Sequence, residues 1–439
     1  MTAVIGILNK YGIAIASDSA VMHGTADNHK IFNRANKIFR ASNQHPVGIM
    51  IYNSASFMRT PWATIIKLYK DRLGDNSFRT LKEYQEDFIS YLREKSFYAT
   101  PKDQMDYLYY FLDTLTIGFI SQIEEIEKIS LKRMKKDSIK IIEKHLNLNL
   151  SKFKKDLSKP EKNTPDKESS YFDEFENFTL QEFDSITGGF FNNIINNHFR
   201  SENVSIEFRD KFKELLYIYL KSKEDYTNHT GLIFVGYGND EIYPSLIPMR
   251  IFLGLGSRLR FSIISEKEAA ISNEKEGAIC PFAQTDVMDT IINGIDTDLE
   301  KIYYENFKVF LKKEYRKMAD FVRGNNPDLA LRIDKLHAAD LIAQIEATNK
   351  KIKKAKFVNP LMDGLATLSK EDLAEMAETL IYLTFLKRRV TFAEETVVGP
   401  VDVAIISKGD GFIWIKRKLY FKPEINQHFF SNTNSKPTT

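Results

Sequence analysis

Blocks of strand-like and helix-like hydrophobic pattern alternate along this chain. Residues 2–57 are rich in short apolar runs, and two of these, 4–8 and 13–16, flank a polar turn at 9–12 that ends in glycine. This arrangement predicts a β-hairpin. The continuous apolar run 47–52 predicts a strand that is buried on both faces. The N-terminal segment is therefore expected to be a sheet.

Helical spacing of apolar residues takes over from about residue 80 to residue 228. Strand patterns then return at 231–237 and 259–264, and further helical patterns cover about 283–355 and 371–389. A final strand pair, 401–406 and 412–415, surrounds a Lys-Gly-Asp-Gly turn. Sheet segments at both ends and in the middle, separated by helices, predict a layered α+β core with large helical insertions.

Composition narrows the classes of partner. The formal net charge of +3 over 439 residues is too small to indicate a nucleic-acid or membrane partner. The apolar runs are shorter than the roughly 20 residues that cross a bilayer, and the eight histidines show no metal-ligand spacing. The single cysteine, Cys280, is expected to be a buried apolar residue in a reducing compartment. We therefore expect a cytoplasmic protein without a cofactor or metal.

Thr2 is the residue for which the sequence suggests a catalytic role. Removal of Met1 would leave an α-amino group and a hydroxyl on one residue, which supplies a nucleophile and its base together. A small residue at position 2 is common, because it permits methionine removal, so Thr2 alone indicates little. Asp18 ends the second predicted strand, and Lys37 follows in an Asn-Lys-Ile-Phe segment.

The opening strand-turn-strand, its Ala-Ser-Asp end and the later Lys-Ile-Phe resemble the N-terminus of proteasome β-subunits and of their bacterial relatives, which are N-terminal-nucleophile hydrolases. Later pieces follow in the family's order. They are the strand at 231–238, a turn at 277–282 ahead of a helix, the helix 371–389 and the strand pair that begins at 399. The resemblance implies a four-layer αββα sandwich interrupted by helical insertions.

The resemblance also implies a catalytic centre. Thr2 would attack a carbonyl through Oγ, and its α-amino group would take the proton. That amine has a reference pKa of about 7.7–8.0, which suits a general base. Lys37 would lower the effective pKa of the attacking group through its positive charge, and Asp18 would hold Lys37 by a charge-assisted hydrogen bond.

Four more positions are candidates for supporting roles, three of them by the same resemblance. A backbone N–H on the strand of Met50 would stabilise the oxyanion. Ser19, as a sequence neighbour of Asp18 rather than by the resemblance, is a candidate to support the amine, and an ordinary serine at a strand end is the alternative. Ala278 stands where the family has a supporting serine, and Glu395 stands where it has an aspartate, so a longer acid would hydrogen-bond the amine. Met50 itself replaces a glycine, and Lys37 lies a few residues farther from the threonine than in the family.

The expected organisation follows from these matches. It comprises the N-terminal part of the core (2–80), a helical insertion (81–228), central strands and the start of a helix (229–294), a second helical insertion (295–368), the C-terminal core helix and strands (369–422) and a polar tail (423–439). The expected function is hydrolysis of amide bonds, most simply in peptides, by a threonine nucleophile. An inactive scaffold or binding subunit and a non-peptidase amidase are alternatives. Assembly into a homo-oligomer, the identity of the substrate and any regulatory partner are left open.

Overall fold

Two antiparallel β-sheets stand at the centre of the chain. The computed structural model describes residues 2–25, 28–32, 35–130, 136–157, 172–199, 204–223, 229–334, 338–391, 399–419 and 421–426. The strands in these ranges are β1 (Ala3–Asn9), β2 (Gly12–Ser17), β3 (Val21–Thr25), β4 (Asn28–Phe32), β5 (Ile38–Arg40), β6 (Val47–Asn53), β7 (Ser56–Phe57), β8 (Thr60–Pro61), β9 (Thr230–Gly236), β10 (Ser245–Leu255), β11 (Arg258–Ile263), β12 (Ala269–Ala270), β13 (Gly277–Ala283), β14 (Asp402–Ser407) and β15 (Gly411–Lys416).

Helices fill the intervals between the strand groups. The α-helices of the described ranges are α1 (Trp62–Leu73), α2 (Leu81–Glu94), α3 (Pro101–Glu127), α4 (Lys136–Leu157), α5 (Leu180–Thr187), α6 (Phe191–Phe199), α7 (Ile206–Lys221), α8 (Asp286–Asn293), α9 (Thr297–Arg323), α10 (Pro327–Asp334), α11 (Ala338–Lys353), α12 (Asn359–Ala366) and α13 (Lys370–Val390). The protein is therefore α+β with antiparallel sheets, as the hydrophobic pattern predicts.

Sheet I has the strand order β13-β1-β2-β14-β15, and sheet II has the order β11-β10-β9-β6-β5. The predicted hairpin of β1 and β2 is confirmed, with Asn9 opposite Gly12 at its turn. Asn9 stabilises the turn because its Oδ1 accepts a hydrogen bond from the backbone N–H of Tyr11 at 2.9 Å. Strands that lie far from this hairpin in sequence, β13 and β14, flank it on its two sides, so β1 lies inside the sheet.

The side chains on the two faces of β1 pack into two different hydrophobic clusters. Val4 and Leu8 belong to a cluster that also holds residues of sheet II, such as Ile233. The alternate residues Ile5 and Ile7 belong to a second cluster with residues of α8, α12 and α13. All seven residues of β1 are buried, which explains why its sequence is a continuous apolar run rather than an alternating one.

Sheet II carries its own helices on the face that points away from sheet I. Ile49 and Phe234 of this sheet share a large cluster with Trp62 of α1, Phe88 of α2 and Leu112 of α3. Aromatic rings fill this layer, and Phe88 packs edge-on against Phe234 with ring centroids 5.5 Å apart. Sheet II therefore shares one hydrophobic cluster with sheet I and another with these helices.

The segment 277–282 corrects a prediction. It is the strand β13, paired along its length with β1, and not a turn ahead of a helix. The chain turns later, where Ala283 has a φ of 64° and α8 begins at Asp286. The apolar residues of this segment pack on both faces of sheet I, which favours the extended conformation over the turn that its glycine suggests.

Candidate active site

Thr2, Asp18 and Lys37 come together at one end of sheet I. Lys37 Nζ donates to Thr2 Oγ1 at 3.0 Å and to Asp18 Oδ1 at 2.8 Å. Its third hydrogen bond goes to the carbonyl oxygen of Ala20. An ammonium has three donors, so this cluster uses all of them, and the direction of the Lys37 side chain is fixed.

The hairpin positions Thr2 and Asp18. Thr2 immediately precedes β1, and Asp18 immediately follows β2. The Asp18 carboxylate accepts the backbone N–H of Ala3 through Oδ1 at 2.9 Å and that of Ala20 through Oδ2 at 3.0 Å. Asp18 therefore fixes both the backbone beside the threonine and the lysine that contacts its hydroxyl.

Lys37 reaches this centre from sheet II. It precedes β5, and its carbonyl oxygen accepts the backbone N–H of Ile51 at 2.9 Å. The side chain then spans from sheet II to the end of sheet I, where Thr2 lies. Packing of the two sheets against each other is thus what brings the lysine to the threonine.

The electrostatics of the centre are those of a buried ion pair. The exposed fractions of the Lys37 and Asp18 side chains are 3% and 1%. Burial lowers the pKa of Lys37, against the opposing charge of Asp18. Burial likewise raises the pKa of Asp18, against the charge and hydrogen bond of Lys37. Both shifts arise because a low dielectric disfavours a charged group, and the contact between the two groups offsets part of that cost.

A second buried ion pair, which sequence reasoning missed, adjoins the first. Asp402 is 2% exposed and accepts both the backbone N–H and the side-chain ammonium of Lys418. The positive charge of Lys418 lowers the pKa of Lys37, and the negative charge of Asp402 raises it. No sequence signal links positions 37, 402 and 418, because strand pairing across the whole chain is what brings them together.

Ser19 is close to the centre but has a different partner from the expected one. Its hydroxyl donates to the carbonyl oxygen of Pro400, and its own carbonyl accepts the N–H of Ala35 at 3.0 Å. Ser19 therefore connects β2 to the segment that precedes β14. In the described structure it supports the backbone around Asp18 rather than the nitrogen of Thr2.

Met50 is not beside Thr2. It lies in the middle of β6, opposite Ile38 on one side and Ile233 on the other. Its side chain is fully buried in the cluster between the sheets, so it does not narrow an open groove. The strand ends three residues later at Asn53, which is exposed and has a φ of 67°. An asparagine at a strand end is a recognisable signal for such a conformation.

Ala278 is also remote from Thr2. It lies opposite Leu8 in the pairing of β1 with β13, which puts it roughly 20 Å from the start of β1 at 3.3 Å per residue. Gln284 takes the adjacent position instead, since its N–H donates to the carbonyl oxygen of Thr2 at 3.0 Å. Glu395 lies outside the described residues.

Thr2 is 2% exposed. Three cavities of the described surface, of about 280, 860 and 540 Å³, are lined by residues other than Thr2, Asp18 and Lys37. In a chain that retains Met1, the nitrogen of Thr2 is also an amide and cannot act as a base. The arrangement therefore becomes a nucleophilic centre only when Met1 is removed.

No protein-family model matches this chain. No curated protein sequence matches it either. Within the described ranges, His, Cys, Asp and Glu side chains form no group of three or more that could hold a metal ion, and none of the described helices is long and apolar enough to cross a membrane. Functional inference therefore depends on the geometry of the Thr2 centre.

Proposed function

We propose that this protein is an N-terminal threonine hydrolase of the proteasome-like type, which cleaves amide bonds in peptides after removal of Met1. The observation that carries the proposal is the 3.0 Å contact between Lys37 Nζ and Thr2 Oγ1. The Lys37 ammonium pairs with Asp18, and that pairing leaves one of its donors directed at the hydroxyl of residue 2. This donor would stabilise the alkoxide that forms on Oγ1.

The reaction would begin when the free α-amino group of Thr2 takes the proton of Oγ1, directly or through water. The Lys37 ammonium would stabilise the negative charge that develops on Oγ1 as this proton leaves. Oγ1 would then attack the scissile carbonyl. Asp18 would keep Lys37 ionised and oriented. The α-ammonium would return its proton to the leaving amine, and water would release the acyl group from Thr2.

The oxyanion would be met by backbone N–H groups where β6 ends, rather than by Met50. The positive φ of Asn53 turns the chain out of the sheet directly beyond the Ile51 amide that bonds Lys37. A backbone donor at the end of a strand needs no particular side chain. An N–H at the end of β6 is therefore the better candidate for this role.

The layered packing supports the same proposal. Helix α13 covers one face of sheet I, the two sheets face each other, and α1 and α2 cover sheet II. This is the order of layers expected for an αββα N-terminal-nucleophile sandwich. The helical segments α3–α7 and α9–α11 would then be insertions into that sandwich.

The decisive experiment combines intact-mass measurement with an electrophilic probe. We expect the purified protein to lack Met1 and to gain the mass of one β-lactone or epoxyketone molecule. Thr2→Ser should retain labelling, whereas Thr2→Val, which is also small enough to permit Met1 removal, should abolish it. Complete retention of Met1, or equal labelling of Thr2→Val, would contradict the proposal. Comparison of the hydrolysis rates of peptide reporters and of simple acyl amides then distinguishes a peptidase from a non-peptidase amidase.

The burial of Thr2 favours one alternative, a catalytically inactive scaffold or binding subunit. A substrate carbonyl has to reach Oγ1, yet Thr2 is 2% exposed. If Met1 is lost and Thr2 still fails to react with the small probe, this alternative replaces the enzymatic one. Lys37 and Asp18 would then be a structural ion pair.

A further inference from the structure

Strand β13 forms an edge of sheet I, because β1 pairs with it on one side and no described strand lies on the other. The N–H of Gln284, just beyond β13, bonds to Thr2 on the β1 side. Residues of a strand alternate in the side to which their backbone groups point. The backbone groups of Gly277, Ile279 and Pro281 therefore point away from β1. Lys267 Nζ contacts the Pro281 carbonyl oxygen at 3.4 Å from that outer side.

A cavity of about 860 Å³ follows this edge, and all five residues from Gly277 to Pro281 line it. Five extended residues span roughly 16 Å. The opposite wall comes from helices, including Met362 of α12 and Asp289 of α8. The cavity is therefore a groove with an open strand edge as one wall, and its shape suits one extended chain.

The groove is predominantly acidic. Its lining carries three lysines and six carboxylates, the latter being Glu266, Glu268, Glu274, Glu276, Asp289 and Asp363. A second copy of this chain would bring an equally acidic edge, and like charges disfavour that pairing. A basic occupant complements the groove better than another copy does.

We propose that this groove binds an extended basic peptide segment by adding it as a strand beside β13. Backbone hydrogen bonds to Gly277, to Ile279 and to the carbonyl of Pro281 would hold the peptide, as in other cases of strand addition. The carboxylates of the walls would select lysine or arginine side chains. The site is distinct from the Thr2 centre, so the binding does not depend on the proposed hydrolysis.

The test uses full-length protein and a fluorescein-labelled hexapeptide of alternating lysine and valine. There are three control peptides. Two have the same sequence with N-methyl groups on alternate amides, one for each of the two possible sets, and the third is an alternating glutamate–valine hexapeptide. We expect saturable binding of the first peptide by fluorescence anisotropy. N-methylation of the peptide amides whose N–H groups face β13 should weaken binding at least tenfold. The reason is that each lost ladder hydrogen bond costs about two- to tenfold in affinity. The glutamate peptide should bind still more weakly.

Variants of the protein test whether the peptide binds at β13. Ile279→Pro removes one outward N–H, as Pro281 already does in the same strand, whereas Ile279→Val retains it. We expect at least a severalfold loss of affinity for the first variant and none for the second. Asp363→Lys should weaken binding at low salt without altering the strand, and Thr2→Val should bind as the wild type does.

Equal affinity of both N-methylated peptides would overturn the proposal, as would failure of the lysine–valine peptide to bind. A concentration-dependent dimer that is lost in Asp363→Lys or Ile279→Pro would show that a second copy occupies the groove instead.

Discussion

Lys37 Nζ lies 2.8 Å from Asp18 Oδ1, and this contact joins the end of the N-terminal hairpin in sheet I to the strand that begins sheet II. The two residues are 19 positions apart in sequence. Their pairing fixes the lysine against the hydroxyl of Thr2, so the stability of the fold and the chemistry of the candidate site depend on the same ion pair.

Asp18→Asn should destabilise the protein strongly. The substitution leaves a buried ammonium without its counter-ion, which costs about 3–5 kcal/mol when one partner of such a pair is removed. Lys37→Met added to Asp18→Asn should restore a large part of that loss, since neither charge is then buried. Urea denaturation of the wild type, both single variants and the double variant measures the coupling. A double variant no more stable than Asp18→Asn would show that the pair is not what makes the single change costly.

Lys37→Met should abolish reaction of Thr2 with the β-lactone probe while leaving Met1 removal intact. A methionine fills similar space but provides no donor for the alkoxide, and the loss of one such donor costs roughly 10²–10³ in rate. The rate of mass increase under excess probe is the measurement. Lys416→Met, a change at an exposed lysine paired with Glu378, serves as the control and should react at the wild-type rate.

Lys418→Met should move the alkaline limb of the Thr2 reaction to higher pH. Lys418 lowers the pKa of Lys37 by its positive charge, so its removal raises that pKa and keeps Lys37 ionised over a wider range. The pH profile of probe labelling provides the readout, with Lys416→Met again as the control. If the labelling rate falls at every pH but the midpoint of the alkaline limb stays unchanged, the role of Lys418 is purely structural.

Asp286→Asn should weaken the attachment of α8 to α13. Asp286 contacts Lys387 at 2.9 Å and Arg388 at 2.7 Å. Burial alone would raise the pKa of Asp286, but the Lys387 hydrogen bond and the charges of both cations outweigh it and hold the pKa below its usual value. We expect a loss of about 1 kcal/mol at neutral pH.

This stabilisation is present above the unfolded-state pKa of about 3.9 and is lost as the pH falls through the lower folded-state value. The difference between the wild type and Asp286→Asn should therefore disappear in strong acid. Asp320→Asn, at an exposed i,i+3 pair with Arg323, should stay within about 0.5 kcal/mol of the wild type at every pH. A pH-independent loss in Asp286→Asn would show that packing, not charge, explains its effect.

Cys280 should react slowly with iodoacetamide. Burial raises the pKa of its thiol to about 11, and the thiolate is the reactive form. Relative to a free cysteine, the thiolate fraction at pH 8 is lower by roughly two hundredfold. Labelling should accelerate about tenfold per pH unit between pH 8 and 10. Because the chain has one cysteine, intact mass measures the rate, and labelling in urea at the ordinary thiol rate confirms that burial is the cause.

The hydrophobic pattern predicted the N-terminal hairpin, the buried strand at 47–52 and the α+β character of the chain. Those features follow from local rules, because alternation, apolar runs and a turn ending in Gly12 act within a few residues of one another. Asp18 and Lys37 were identified from a resemblance at one end of the chain. Their contact with each other and with Thr2 is a matter of geometry, which the structure supplies.

Strand register decides which residue of β13 lies beside Thr2. The resemblance puts Ala278 where the family has a supporting serine, but pairing of β13 with β1 puts it opposite Leu8 and brings Gln284 to Thr2. The oxyanion donor expected on the strand of Met50 stays a prediction. A shift of a few residues in register changes which side chain reaches a site. No pattern within a single strand specifies how that strand aligns with a partner that is distant in sequence.

The sequence by itself therefore determined the N-terminal hairpin, the buried strand at 47–52 and the α+β character, and it indicated which residue could become an N-terminal nucleophile. Only the tertiary structure decided that Lys37 meets Thr2, that Asp402 and Lys418 adjoin them, and that β13 leaves an open edge beside an acidic groove. The physical reason is that each of these contacts joins segments from different parts of the chain. Their energies come from burial and pairing between sheets, which no local pattern records.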